Sequence, residues 1–265
     1  MDTLAIEDLL PGDVLLCRSN HWLGQLILWL DQGDYSHAAL YVGNGQVVQA
    51  VARGVIQESV RQSPLLLVQE RIDVFRYHAT VDSTDRDLTS DEARRVLERA
   101  SAFVAAEHAY AYDELLLVGI LCLTRDLSAD HLSEVEQKML RVALDHATDW
   151  IFRCIEDGKE PMICSEAVYR CFAEADPPGS LALTITGVLF ERLQAGRTAS
   201  ATLDPGLATA RDELSSAWRK LTAARPQPDG AAWDPVVASC VTPHDLQTSP
   251  SLRRIGTLES LRSRQ

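Results

Sequence analysis

The first eighty residues alternate between short apolar runs and turn residues, the pattern of antiparallel strands. LLPGDVLL (9–16) reads as a turn at Pro11-Gly12-Asp13 followed by a strand from Val14. Residues 37–43 and 47–51 read as two strands around Asn44-Gly45, a strong hairpin signal because both turn residues tolerate positive φ. Gly54-Val55-Ile56 begins another strand, and RIDVFRY (71–77) is another. Between the first two strands, Ser19 or Asn20 can cap a helix over roughly 21–31. Its apolar stripe, Trp22, Leu26 and Trp29-Leu30, has helical spacing and predicts a core-facing surface.

The period then changes from two to 3.6. Residues 89–107 predict an amphipathic helix, with Thr89 and Glu92 spaced as a capping box. Further helical blocks are expected over about 113–123 and 132–155. Pro161 breaks the chain before a last buried helix at about 164–175. Beyond Asp176-Pro177-Pro178-Gly179 the pattern weakens to an alanine-rich surface helix over 205–224 and a connector, ARPQPDG (224–230). VTPHDLQTSPSLRRIGTL (241–258) has turn chemistry and a final strand. No internal repeat is visible. The order of elements predicts one α+β domain over 1–265, an antiparallel sheet or barrel packed against helices, with a helical insert at about 113–160 and a less regular segment at about 180–240.

Composition narrows the function classes. Apolar residues make up 46% of 265, enough for a large core. The formal charge of −13 argues against a nucleic-acid partner and against simple docking to anionic membranes. The longest apolar runs, LLLVGILCL (115–123) and WLGQLILWL (22–30), are shorter than the ~20 residues that span a bilayer. Peripheral membrane contact stays compatible with them. The acidic start, MDTLAIEDLLPGD, lacks the basic region of a secretory signal, and six cysteines form no CxxC pair or disulfide framework. A reduced, cytoplasmic protein is the expectation.

Two distant motifs carry the candidate chemistry. In MICSEAVYRCF (162–172), Cys164 falls at the first turn of a helix, where free amides and the helix dipole favour a thiolate. Glu166 complements that dipole, and Cys171 fits a buried structural role. In SHAALYVGNGQVVQA (36–50), His37 opens an apolar strand, where a near-neutral imidazole can take a thiol proton. A histidine base needs an orienting partner, and Gln49 is the polar residue in the next apolar run. Register limits that pairing. A two-residue turn sets Gln49 opposite Leu40, on the face away from His37. A three-residue turn restores the face but offsets the pair, so contact requires a bulge or strong twist. Cys17, His21, His37 and Cys164 do not follow a standard zinc spacing. Neither metal nor cofactor is expected.

Together these residues resemble the permuted papain-like enzymes of the NlpC superfamily, particularly the YaeF/YiiX-type amidases. The likeness rests on LLPGDVLL, SHAALYVGNGQVVQA, AYAYDEL (109–115), ICSEAVYRCF and the closing VTPHDLQTSP, with the histidine strand before the cysteine helix. The resemblance implies a circularly permuted papain-like fold. It makes Cys164 the nucleophile, His37 the base and Gln49 the third member, where many relatives carry Glu or His. Glutamine can orient the ring but adds no negative charge. Tyr112, Ser165 and Tyr35 fall in the expected substrate and oxyanion region. The expected activity is cleavage of an amide, peptide or isopeptide-like bond through an acyl-thioester. Two alternatives remain: a lipid acyl hydrolase or acyltransferase on the same fold, and a catalytically silent binding module.

Overall fold

The computed structural model describes residues 2–51, 54–81, 84–106, 110–111, 114–124, 133–157, 161–185, 205–223 and 235–261. Eleven strands are described: β1 (Thr3–Leu4), β2 (Val14–Arg18), β3 (His37–Gly43), β4 (Gln46–Val51), β5 (Gly54–Ser59), β6 (Arg71–Tyr77), β7 (Ala79–Val81), β8 (Thr84–Arg86), β9 (Tyr110–Ala111), β10 (Pro161–Met162) and β11 (Leu252–Leu258). The described helices are α1 (Trp22–Asp31), α2 (Pro64–Leu67), α3 (Ser90–Ala105), α4 (Glu114–Thr124), α5 (Glu134–Glu156), α6 (Cys164–Ala173), α7 (Pro205–Ala223), α8 (Pro235–Ala238) and α9 (Pro243–Thr248).

Seven strands form one sheet in the order β1-β11-β6-β2-β3-β4-β5, antiparallel except for the β1–β11 pair. The fold is therefore α+β, a seven-stranded sheet packed against helices. Strand alternation separates two cores. Val14, Leu16, Ala38, Leu40, Val48, Ala50 and Phe75 face a large cluster shared with α3, α4, α5, α6 and α7. Leu15, Cys17, Ala39, Tyr41, Val47 and Val74 face a smaller cluster, covered by Ile6, Leu9, Val60, Leu66 and Leu258. The central strands β2 and β3 are buried on both faces, which explains why they read as nearly continuous apolar runs.

The Thr89–Glu92 capping box forms as the spacing predicts, and Ser133 with Glu136 makes a second one on α5. The α1 cap differs from expectation. His21, not Ser19 or Asn20, is the N-cap, and its Nδ1 accepts from Gly24 N at 3.2 Å. The α1 stripe is also corrected. Ile27, Leu28 and Leu30 are buried, whereas Trp22 and Trp29 are 54% and 46% exposed. The helix packs on α4, which selects the Ile27 side. Among the described residues no helix is long and apolar enough to cross a membrane. The connector at 224–230 lies outside the described residues.

One buried carboxylate ties the sheet together. Asp73 on β6 is fully buried and accepts from Tyr35 Oη at 2.6 Å, Thr257 Oγ1 at 2.6 Å and Arg254 at 2.8 Å, with Arg71 at 3.0 Å. Burial alone would raise its pKa. The hydrogen bonds from Arg254, Thr257 and Tyr35, together with the Arg71 charge, outweigh that and hold it below the usual carboxylate range.

Candidate active site

The hairpin settles the register question. Asn44 and Gly45 have φ of 52° and 69°, the positive pair of a type I′ turn, and Gly43 has φ of 96°. Gly43 pairs with Gln46, but Tyr41 pairs with Val47 and Leu40 with Val48, so β3 carries one extra residue at position 42. The bulge moves Gln49 from opposite Leu40 to opposite Ala39. It then shares a face with His37. His37 Nε2 and Gln49 Oε1 lie 2.8 Å apart, with both side chains buried.

Behind Gln49 stands a residue that the sequence pattern did not single out. Gln49 Nε2 donates to Glu58 Oε1 on β5 and to Ser63 Oγ at 3.1 Å. Ser63 Oγ in turn donates to Glu58 Oε1 at 2.7 Å and caps α2 by accepting from Leu66 N. A carboxylate only accepts, so the amide must turn its NH₂ toward Glu58 and its oxygen toward the imidazole. That orientation assigns a proton to His37 Nε2. Nδ1 is then the ring nitrogen with a lone pair to take a proton. Burial of His37 pushes its pKa down to about 4, against smaller upward effects of the Gln49 bond and the Glu58 charge. The resting imidazole is therefore neutral near pH 7.

Cys164 is the first residue of α6, which packs against β3 and β4. The thiol is fully buried. Ile163 is the N-cap and has no side-chain acceptor, so only half of a capping box forms: Glu166 Oε2 accepts from Ile163 N at 3.4 Å. Glu166 is itself paired with Arg170 at 3.6 Å on the next turn. Cys17 links the two motifs. Its backbone pairs directly with His37, and burial raises its pKa with added repulsion from Cys164 and Asp73. By alternation His37 shares a face with Ala39 and Tyr41, while Cys164 belongs to the helical cluster. Any contact between thiol and imidazole is therefore made around the N-terminal end of β3.

The remaining sequence candidates are placed differently. Ser165 Oγ donates to Val241 O at 2.7 Å, tying the start of α6 to the C-terminal segment. That segment also anchors α1: His244 N donates to Asp31, and Gln247 brackets Asp34 with two hydrogen bonds. Tyr35 commits its only hydroxyl proton to Asp73, and its ring meets Phe75 edge-on. Tyr112 lies outside the described residues. Among the described residues no cluster of three His, Cys, Asp or Glu is arranged to hold a metal. All six cysteines are free thiols.

No protein-family model matches this chain. No curated protein matches it either. Among solved structures it is similar to the crystal structure of the metalloprotein YiiX from Escherichia coli O157:H7, at 13% identity and a TM-score of 0.44. The alignment covers 93% of this chain and 96% of that one.

Proposed function

We propose that the protein is a cysteine-dependent hydrolase of the permuted papain-like type, acting on an amide bond. The 2.8 Å contact between His37 Nε2 and Gln49 Oε1, brought onto one face by the bulge in β3, is the observation that carries this reading. The hydrogen bond offsets the cost of burying both polar groups and fixes the orientation of the ring, as the partner of a catalytic imidazole does. In this reading Cys164 Sγ attacks the carbonyl carbon as its proton passes to His37 Nδ1. The imidazolium then gives that proton to the leaving amine. A thioester remains on Cys164, and water, deprotonated by His37, releases the acid and regenerates the thiol. Backbone amides at the start of α6, including that of Cys164, stabilise the oxyanion.

The neutral resting imidazole makes this a general-base mechanism with no preformed ion pair. The acid limb of kcat/KM is expected to break near pH 4, well below the ordinary histidine range, because the free-enzyme base titrates there. The same shift has a stability consequence. The unfolded histidine binds its proton near 6.5 and the folded one near 4, so stability is fully present above 6.5 and declines as pH falls toward 4. A difference of that size corresponds to roughly 3 kcal/mol. Urea midpoints followed from pH 7 to pH 4 are expected to fall less steeply in a His37→Gln variant than in wild type.

Acyl-lipid chemistry is the second reading, and one observation favours it. Trp22, Leu26, Trp29, Met139 and Leu140 line a largely apolar groove of about 400 Å³ between α1 and α5. Intact-mass measurement after incubation with amide and phospholipid panels separates the two. A peptide- or amide-derived acyl mass on Cys164 is expected. A fatty-acyl mass instead would select the lipid reading, and no adduct from either panel would favour a silent binding module.

A further inference from the structure

We propose that Glu58, held by Ser63, is a positioning residue that supplies through Gln49 the negative charge a glutamine lacks. The inference rests on the hydrolase reading above and extends it to a residue outside the three candidate positions. On β5, Glu58 pairs with Val47 and lies diagonal to Gln49 on the same face. Its Oε1 receives two hydrogen bonds, from Gln49 Nε2 and from Ser63 Oγ, the latter at 2.7 Å. Ser63 is itself fixed as the N-cap of α2. The chain of bonds thus runs from His37 Nε2–H to Gln49 Oε1, and from the Gln49 amide to Glu58. Every hydrogen in it points toward the carboxylate.

This arrangement does two things for the imidazole. It prevents the Gln49 amide from flipping, because a flipped amide would aim its oxygen at a carboxylate and its NH₂ at the Nε2 proton. It also places a negative charge beyond the amide dipole, which strengthens the hydrogen bond to the ring when the ring is positive. In the attack step the Cys164 proton moves to His37 Nδ1. The positive charge is shared along Nε2–H and Gln49 toward Glu58, and no proton reaches Glu58. A carboxylate set directly on the ring would do this at shorter range. Here the amide serves as a spacer, so the buried ring stays neutral at rest and gains its support as it charges.

The test is a charge-exchange series. Glu58→Gln keeps the shape and removes the charge, and is expected to lower kcat by about 10- to 100-fold with KM little changed, the scale on which outer partners of a working histidine act. Gln49→Glu alone faces a second carboxylate at hydrogen-bond distance and is expected to be worse than Glu58→Gln. The double variant, Gln49→Glu with Glu58→Gln, moves the charge one residue nearer the ring and restores donors toward acceptors. It is expected to recover most of the lost rate. Imidazole NMR on the same proteins needs no substrate. Wild-type His37 is expected to carry its proton on Nε2, and Glu58→Gln to lower its pKa further and mix the tautomers. An unchanged tautomer and pKa in Glu58→Gln, or a double variant no better than the single, overturns the relay. Failure of the hydrolase reading is distinguished by Cys164→Ala retaining turnover, an outcome the NMR result does not depend on.

Discussion

Replacing Cys164 by alanine is expected to reduce turnover by on the order of 10⁶-fold, as loss of a covalent nucleophile does. The loss should fall on kcat, because the step removed is bond formation to the acyl carbon. The fold should survive. Cys164 is fully buried at the first turn of α6, and alanine leaves its helix, its neighbour Ser165 and the Ser165–Val241 bond in place. Loss of one sulfur atom from such a site costs only about 1 kcal/mol. Steady-state rates beside a thermal melt separate the two effects. A folded variant with wild-type rate would remove Cys164 from the chemistry.

Asp73→Ala is expected to have the largest effect on stability, roughly 2–4 kcal/mol, because Tyr35 and Thr257 lose their buried acceptor while the part-exposed Arg254 and Arg71 can still reach water. Tyr35, Thr257, Arg254 and Arg71 all converge on this carboxylate, and it is fully buried. Its loss removes the acceptor on β6 that Tyr35, at the entry to β3, shares with Arg254 and Thr257 on β11. Chemical denaturation is expected to show a lower midpoint with little change in slope. Asp73→Asn, which keeps one acceptor oxygen, should cost less. The cluster matters to the site as well, because Tyr35 immediately precedes Ser36 and His37. Ser36 locks the end of β2 to the start of β3 through Cys17 and Ser19. An unpinned Tyr35 would loosen the backbone that aims the imidazole.

Much of this architecture was legible in the sequence, for local reasons. Asn44-Gly45 demands positive φ at both positions, and Thr89 with Glu92 closes a capping box from spacing alone. The helices α3, α4, α5, α6 and α7 all lie where their periodicity puts them. The features that escaped depend on non-local packing. A bulge at position 42 leaves no mark in an apolar run buried on both faces, so the His37–Gln49 contact could be named only as conditional. Glu58 sits on the outermost strand of the sheet in GVIQES (54–59), where an acidic residue reads as a solvated position. The β4–β5 register sets it diagonal to Gln49, and Ser63, the N-cap of α2, holds its carboxylate there. The α1 stripe failed for a different reason. WLGQLILWL is apolar on most of its circumference, so spacing cannot tell which side α4 will cover. Burial of Cys164, His37 and Gln49 was likewise invisible to pattern reading.

Reactivity of the Cys164 thiol tests the Cys164–His37 pairing most directly. Cys171 and Cys240 are equally buried free thiols in the same molecule and serve as internal controls; burial pushes Cys171 up to about 12. Pulse alkylation with a small electrophile at neutral pH, resolved by peptide mass, compares all three under one set of opening motions. Cys164 is expected to label fastest, and His37→Ala to slow it selectively while Cys171 and Cys240 keep their rates. A Cys164 that labels no faster than Cys171 and Cys240, with a rate indifferent to His37→Ala, would contradict the pairing of thiol and base on which the proposed activity depends.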